Sequence, residues 1–291
     1  ALYDWYLNNN RQDQVAMLDT PFIANYLLIG SARDIRIANL LWKWYQRHGD
    51  LLATADVLLD LARGPLSTTL TQRVEFLSRA MAYCQAQTQN SPQATNMATM
   101  VKAYLGLARI QTRIQAKCDD PRLNQRIFTV TEQFYDFAKP LELYDVCFEL
   151  IEFADLRDPV VIESCWQNMF AKERRDDGAE GSPHFAQLIS IITSMGIKFG
   201  NCKAIFNPTK LVPMIEQYAV ECTKTAPTGW IVDAFQAAGV ELSDLNEVYV
   251  NTLKNRVLSG EAVVHAEESL SYLRSKWSES EQVEAKKGIT A

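Results

Sequence analysis

Apolar residues recur three and four positions apart over nearly the whole chain, the spacing of a helix with one buried face. The pattern predicts helices over 2–17, 21–29, 34–48, 51–62, 69–88, 94–117, 122–138, 140–154, 159–175, 184–199, 208–223, 228–238, 242–257 and 261–277. Alternating runs bounded by Asn-Gly or Asp-Gly turns, the mark of hairpins, do not occur. Proline supports the same division, since it is expelled from helix interiors but tolerated in the first turn. Pro140, Pro159 and Pro208 each precede an apolar-periodic stretch and are assigned to helix starts. The segment 34–48 indicates how the helices are arranged. At 100° per residue Ile35, Ile37, Ala38, Leu40, Leu41, Trp42, Trp44 and Tyr45 fill an arc of roughly 220°, whereas a helix packed on one side needs only about 100°. An arc this wide fits a helix covered on two sides, as in stacked helical pairs.

No sequence motif recurs at a fixed period of the tetratricopeptide or ankyrin type. The expectation is therefore all-α, an irregular α-solenoid of stacked antiparallel helices, with 1–291 as a single solenoid segment. Asp176-Asp177-Gly178-Ala179-Glu180-Gly181-Ser182-Pro183 reads as a surface loop over 176–183. The stretch 278–291 reads as a solvated last helix or a frayed tail. The chain opens Ala1-Leu2-Tyr3-Asp4-Trp5, with neither an initiator Met nor a signal-like segment, and reads as a piece of a longer protein.

Composition narrows the function classes. Of the residues 47% are apolar and 22% charged, enough to bury a sizeable core. The 29 Lys and Arg against 35 Asp and Glu leave a net charge of −6, which lacks the basic excess that phosphate contacts require. There is no apolar run of about 18 residues to cross a membrane. The six cysteines, Cys84, Cys118, Cys147, Cys165, Cys202 and Cys222, form no C-x-x-C pair and read as reduced structural thiols.

Candidate chemistry is sparse. Gly-rich phosphate loops are absent, and Gly196-Ile197-Lys198-Phe199-Gly200 reads as a helix end with a capping glycine. His48, His184 and His265 are scattered singly. His265 and Glu268 could share a helix face, but no further ligand stands at metal-binding spacing. Cys147 lies in an apolar helical stretch and reads as an inert buried thiol. The run Lys172-Glu173-Arg174-Arg175-Asp176-Asp177 mixes signs and reads as an exposed helix end. Trp5, Trp42, Trp44, Trp166, Trp230 and Trp277 read as helix packing, with groove-lining anchors as the functional alternative. These residues imply no catalytic site, no cofactor and no metal, and they leave the partner-binding positions unassigned.

Several stretches, in order, resemble one family. They are Ala1-Leu2-Tyr3-Asp4-Trp5, Pro21-Phe22-Ile23, Leu40-Leu41-Trp42-Lys43-Trp44-Tyr45, Ala55-Asp56-Val57-Leu58-Leu59-Asp60-Leu61-Ala62, Gln72-Arg73-Val74-Glu75-Phe76-Leu77-Ser78-Arg79-Ala80, Ala108-Arg109-Ile110-Gln111, Asp158-Pro159-Val160 with Trp166-Gln167, and Ala238-Gly239-Val240-Glu241-Leu242 with Glu247-Val248-Tyr249. Over positions 1 to 255 the chain resembles the carboxy-terminal solenoid of the large inner-ring scaffold nucleoporin, the non-repetitive type with an amino-terminal propeller. The resemblance implies a non-enzymatic scaffold subunit of the nuclear pore complex at the nuclear envelope, supporting nucleocytoplasmic transport of protein and mRNA. It also implies other nucleoporins as partners, including short linear segments of disordered linker nucleoporins, with no direct nucleic acid and no membrane contact by this stretch. Two rival readings are a helical-repeat adaptor of a vesicle-coat or tethering complex and an α-helical enzyme.

Overall fold

The computed structural model describes residues 2–9, 11–15, 17–18, 20, 22–87, 91–176, 184–222 and 226–289. Among these the chain is helical, without strands, and it divides into two compact units, Ala1–Val146 and Cys147–Ala291.

The first unit contains α1 (Leu2–Asn8), α2 (Gln12–Val15), α3 (Ile23–Ser31), α4 (Ile35–Arg47), α5 (Leu51–Arg63), α6 (Leu70–Gln87), α7 (Pro92–Gln115), a 3₁₀ turn (Pro121–Asn124) and α8 (Val130–Glu132), which runs into a π-helical turn (Gln133–Ala138). Each helix from α3 to α7 packs on its sequence neighbours. The helices start where side chains can accept the first free amides. Asp34 accepts from the Arg36 N–H at 2.8 Å, and Asp50 from that of Ala53 at 3.0 Å. The two-sided character of α4 is realised in its packing. Ile37, Leu40 and Leu41 join Leu7, Val15, Ile23 and Leu27 in one cluster. Ala38 and Trp42 join Leu58, Leu59, Phe76, Leu77 and Val101 in another.

A set of buried polar side chains closes the backbone between α5, α6 and α7. Arg73, 1% exposed, donates through Nη1 to the carbonyls of Ala62 (2.6 Å) and Gly64 (3.0 Å), and through Nη2 to those of Leu66 (3.3 Å) and Gln125 (2.7 Å). Gln111 donates to the Leu123 and Arg126 carbonyls and accepts from the Phe128 N–H at 2.8 Å. Gln133 donates to the carbonyls of Leu107 and Phe128. Buried carbonyls without such donors would each cost on the order of 1–3 kcal/mol.

The second unit contains α10 (Pro159–Asp176), α11 (His184–Phe199), α12 (Pro208–Cys222), α13 (Trp230–Ala237), α14 (Leu242–Lys254) and α15 (Glu261–Ile289); α9 (Tyr144–Phe153) carries the unit boundary. Here α13 is central, packed by α11, α12 and α15, with Trp230, Ile231, Val232, Ala234 and Phe235 all buried. An aromatic chain forms the core. Trp166 lies 4.8 Å from Phe148 and 5.6 Å from Phe170 between ring centroids, and Phe206 lies 5.7 Å from Phe235. These are the separations at which tilted aromatic pairs attract beyond their buried area.

Several predicted boundaries are corrected. The helix over 2–17 is two short helices, because Asn9 turns back and donates through Nδ2 to the Trp5 carbonyl at 2.8 Å. The helix over 122–138 is interrupted. Arg73 and Gln111 take the carbonyls of Leu123, Gln125 and Arg126, and Thr129 caps a new start in a reciprocal capping box with Glu132. Pro140 does not open a helix. Glu142 adopts a left-handed backbone conformation (φ 54°) and α9 begins at Tyr144. Pro159 and Pro208 do open α10 and α12, and Pro213 also lies inside α12, at the loss of one backbone donor. The last helix continues past residue 277 to Ile289. Most of the segment assigned as a surface loop, 177–183, lies outside the described residues.

Arg73→Met should lower stability by about 3 kcal/mol in urea denaturation, since it strands the carbonyls of Ala62, Gly64, Leu66 and Gln125. Arg157→Met, removing a side chain that is 75% exposed and pairs with the equally exposed Asp155, should leave the midpoint unchanged.

Candidate functional site

The sequence candidates scatter when placed on the fold. His48 ends α4, its Nδ1 donating to the Trp44 carbonyl at 2.8 Å while its ring stacks on Trp44. His184 begins α11, and its side chain lies outside the described set. Cys84, Cys147 and Cys165 are buried in helices, as expected of structural thiols, and burial pushes the Cys84 thiol pKa up. Cys222 falls outside the described side chains. Lys172-Glu173-Arg174-Arg175-Asp176 closes α10, and Asp177 lies beyond the described residues. Of the tryptophans, Trp42, Trp166 and Trp230 are buried and only Trp5 is largely exposed, at 49%.

Gly196 has a role that sequence reasoning missed. It sits in the last turn of α11, within the helix predicted over 184–199, and an added Cβ would lie 2.3 Å from Cβ of Ala238 and 2.9 Å from the Phe206 ring. Only glycine lets α11 approach α13 this closely. Gly200 follows the last helical residue, as expected of a helix end.

His265 does not pair with Glu268. It reaches Glu216 on α12, where Nδ1–H donates to Oε2 at 2.5 Å. Glu216 is fully buried, and its other oxygen accepts from the Tyr249 hydroxyl at 2.7 Å. Burial, followed by the adjacent carboxylate, drives the Tyr249 hydroxyl pKa upward, so the phenol stays a donor. The hydrogen bond to Glu216 raises the His265 pKa; partial burial opposes it, and Glu268 adds a smaller push upward. A carboxylate holding an imidazole is half of a nucleophilic triad. His265 has no hydrogen bond to a Ser, Thr or Cys among the described residues, and the cluster joins α12, α14 and α15. A second charged clasp holds α15: Asp233 on α13 accepts from Tyr272 at 3.1 Å and from Lys276 at 2.6 Å. No group of three or more His, Cys, Asp or Glu suited to a metal exists among the described residues. No helix among them is long and apolar enough to cross a membrane.

The remaining features are inter-helix grooves. In the first unit a groove of about 510 Å³ runs over α3, α4 and α5, floored by Leu41, Val57 and Leu61 and edged by Leu28, Asp56 and Asp60. In the second unit a groove of about 700 Å³ lies over α11 and α14, with Ile197, Val240 and Asp244 among its lining. Both are open clefts suited to an extended or helical segment of another chain.

The model of the non-repetitive/WGA-negative nucleoporin C-terminal family matches residues 1–290. The chain belongs to this family. The match continues past the resemblance seen over 1 to 255 and takes in all of α15. Nucleoporin NUP170 of Saccharomyces cerevisiae is 29% identical over 268 residues, which cover 84% of this chain and 18% of that protein. Probable nucleoporin C890.06 of Schizosaccharomyces pombe is 27% identical over 274 residues, covering 88% of this chain and 21% of that one. The chain therefore spans about a fifth of the length of the curated relatives it matches. The crystal structure of the Chaetomium thermophilum Nup170 C-terminal domain in complex with Nup145N has the same fold, with a TM-score of 0.73 at 23% identity, over 95% of this chain and 59% of that one. The expected all-α arrangement of antiparallel, solenoid-type helices holds. The nucleoporin is structural, not enzymatic, and a component of the nuclear pore complex.

The Glu216–His265 contact makes the stability of this nucleoporin depend on pH. The folded chain binds the His265 proton more tightly than the unfolded chain, whose imidazole titrates near 6.5. The contribution is thus complete below about pH 6.5 and disappears as pH rises through the raised folded value. His265→Leu, which strands the Glu216 carboxylate, should cost about 3 kcal/mol at pH 6 and distinctly less at pH 9, read from urea midpoints of both proteins.

Proposed function

We propose that this chain is a load-carrying segment of the inner-ring scaffold of the nuclear pore complex. Its stacked helices space neighbouring subunits, and its grooves hold short linear segments of disordered linker nucleoporins. In this way it supports nucleocytoplasmic transport of protein and mRNA. The match of the nucleoporin C-terminal family over residues 1–290 carries the reading. The complex of the related Chaetomium thermophilum domain with Nup145N supports the peptide-holding part, since that relative pairs with another nucleoporin.

The first test is a native pull-down with this chain as bait from nuclear-envelope extract. Co-purification of inner-ring nucleoporins is expected, and recovery of vesicle-coat or tethering subunits in their place would overturn the assignment. Calorimetric titration with linker segments of other nucleoporins tests the holding role. Saturable one-to-one binding with a negative heat-capacity change is expected for apolar groove capture; no binding by any segment would remove peptide holding from this stretch.

A further inference from the structure

The groove over α3, α4 and α5 carries an unbalanced electrostatic arrangement. Asp56 and Asp60 stand one turn apart on α5, at the edge of apolar lining from Leu28, Val57 and Leu66. Like charges at this spacing repel on a helix surface. Partial burial raises the Asp56 pKa, and the charge of Asp60 raises it further, against a smaller lowering by Arg63. Neither aspartate has an ion pair or a side-chain hydrogen bond among the described residues. Arg63, the one cation among the groove residues, has its guanidinium 5.1 Å from the ring centroid of Tyr104 on α7. Leu28 is 56% exposed on the same groove. The free chain thus holds two carboxylates without an ion pair among the described residues, beside an uncovered apolar surface. A single occupant that brings a cation and an apolar side chain together would relieve both.

We infer that this groove is a docking site for a linear peptide segment that sets a Lys or Arg beside one apolar anchor, with the cation on Asp56 and Asp60 and the anchor against Leu28, Val57 and Leu66. The inference rests on the reading that the chain holds linear segments, and it assigns one groove and one peptide chemistry to that role. Arg has the advantage over Lys, because its planar fork can bridge two carboxylates with less loss of freedom.

The probe is a set of fluorescently labelled twenty-residue peptides tiled through the disordered linkers of Saccharomyces cerevisiae nucleoporins, with binding read by anisotropy. The whole chain is compared with the double variant Asp56→Asn, Asp60→Asn and with Leu28→Asp. All three positions are solvent-accessible, so both variants should keep the parent helical circular dichroism, and the double variant should melt no lower than the parent. Tiles that bind should carry a Lys or Arg next to an apolar residue, and both variants should weaken them by about tenfold or more. The double variant should also flatten the salt dependence of binding. Tiles that bind with equal affinity to the parent and both variants would overturn the groove assignment while leaving segment holding intact. Tiles that bind the parent but lack any cation would overturn the peptide chemistry. Absence of binding by every tile would remove segment holding and this inference together.

Discussion

The first unit depends on the closure of its backbone at one crowded junction. A helix leaves its last carbonyls without partners, and each connection between stacked helices must find donors for them. Between α5 and α6 the donor is a single guanidinium. Arg73 takes up carbonyls from the end of α5, the following loop and the segment after the 3₁₀ turn, and so joins stretches 52 residues apart in sequence. Arginine suits the task better than any neutral side chain, because its five donors are held in one plane and diverge. Burial lowers the Arg73 pKa, yet an arginine stays charged across the accessible pH range. The desolvation is offset by four strong carbonyl contacts rather than by a carboxylate. Gln111 and Gln133 extend the same scheme with neutral amides. Together these side chains replace the regular helix that periodicity predicts over 122–138.

The second unit solves a related problem with paired charges. The helix α15 has a weakly amphipathic sequence, and apolar burial alone specifies its seat poorly. Two clasps define it: Glu216 with His265, and Asp233 with Tyr272 and Lys276. A buried carboxylate with both oxygens occupied tolerates only one position of its donors, so the clasp acts on register more than on net stability. Gly196 and Gly229 contribute by absence. A Cβ at Gly229, whose φ is 81°, would lie 2.1 Å from the Tyr272 ring that completes the second clasp.

The helical plan was legible because it rests on local rules. The arc of apolar residues on 34–48 correctly implied two packing faces, since Ile37 and Leu40 serve one core cluster and Ala38 and Trp42 the other. Asp34 and Asp50 cap helices close to the predicted starts. What escaped was long-range. Nothing near His265 in sequence points to Glu216, 49 residues away, and Glu268 at helical spacing was the more obvious partner. The split of 122–138 was equally hidden, because the competing donors sit on α6 and α7. The close-packing role of Gly196 was hidden as well, since sequence carries no sign of how closely two helices cross. Asp56 and Asp60 carry no site signal in the sequence, and their groove emerges only when α3 and α4 are placed beside them.

Irregularity of this kind bears on what a scaffold nucleoporin can do. A solenoid of identical repeats satisfies its connections in one standard way, and every groove between repeats is then chemically alike. Here each connection is closed by its own side chains: a guanidinium after α5, amides after α7, a carboxylate with an imidazole beneath α15. The cost is sensitivity to substitution at single buried polar positions. The return is clefts of different chemistry, as the acidic, apolar-floored groove on α5 and the larger cleft beside α14 show. A surface of non-equivalent clefts can tell one linear segment from another, because specificity is a difference between affinities and uncompensated charge discriminates more sharply than apolar area. Polar side chains that close the interior and carboxylates left open at the edge are therefore two results of the same departure from repetition.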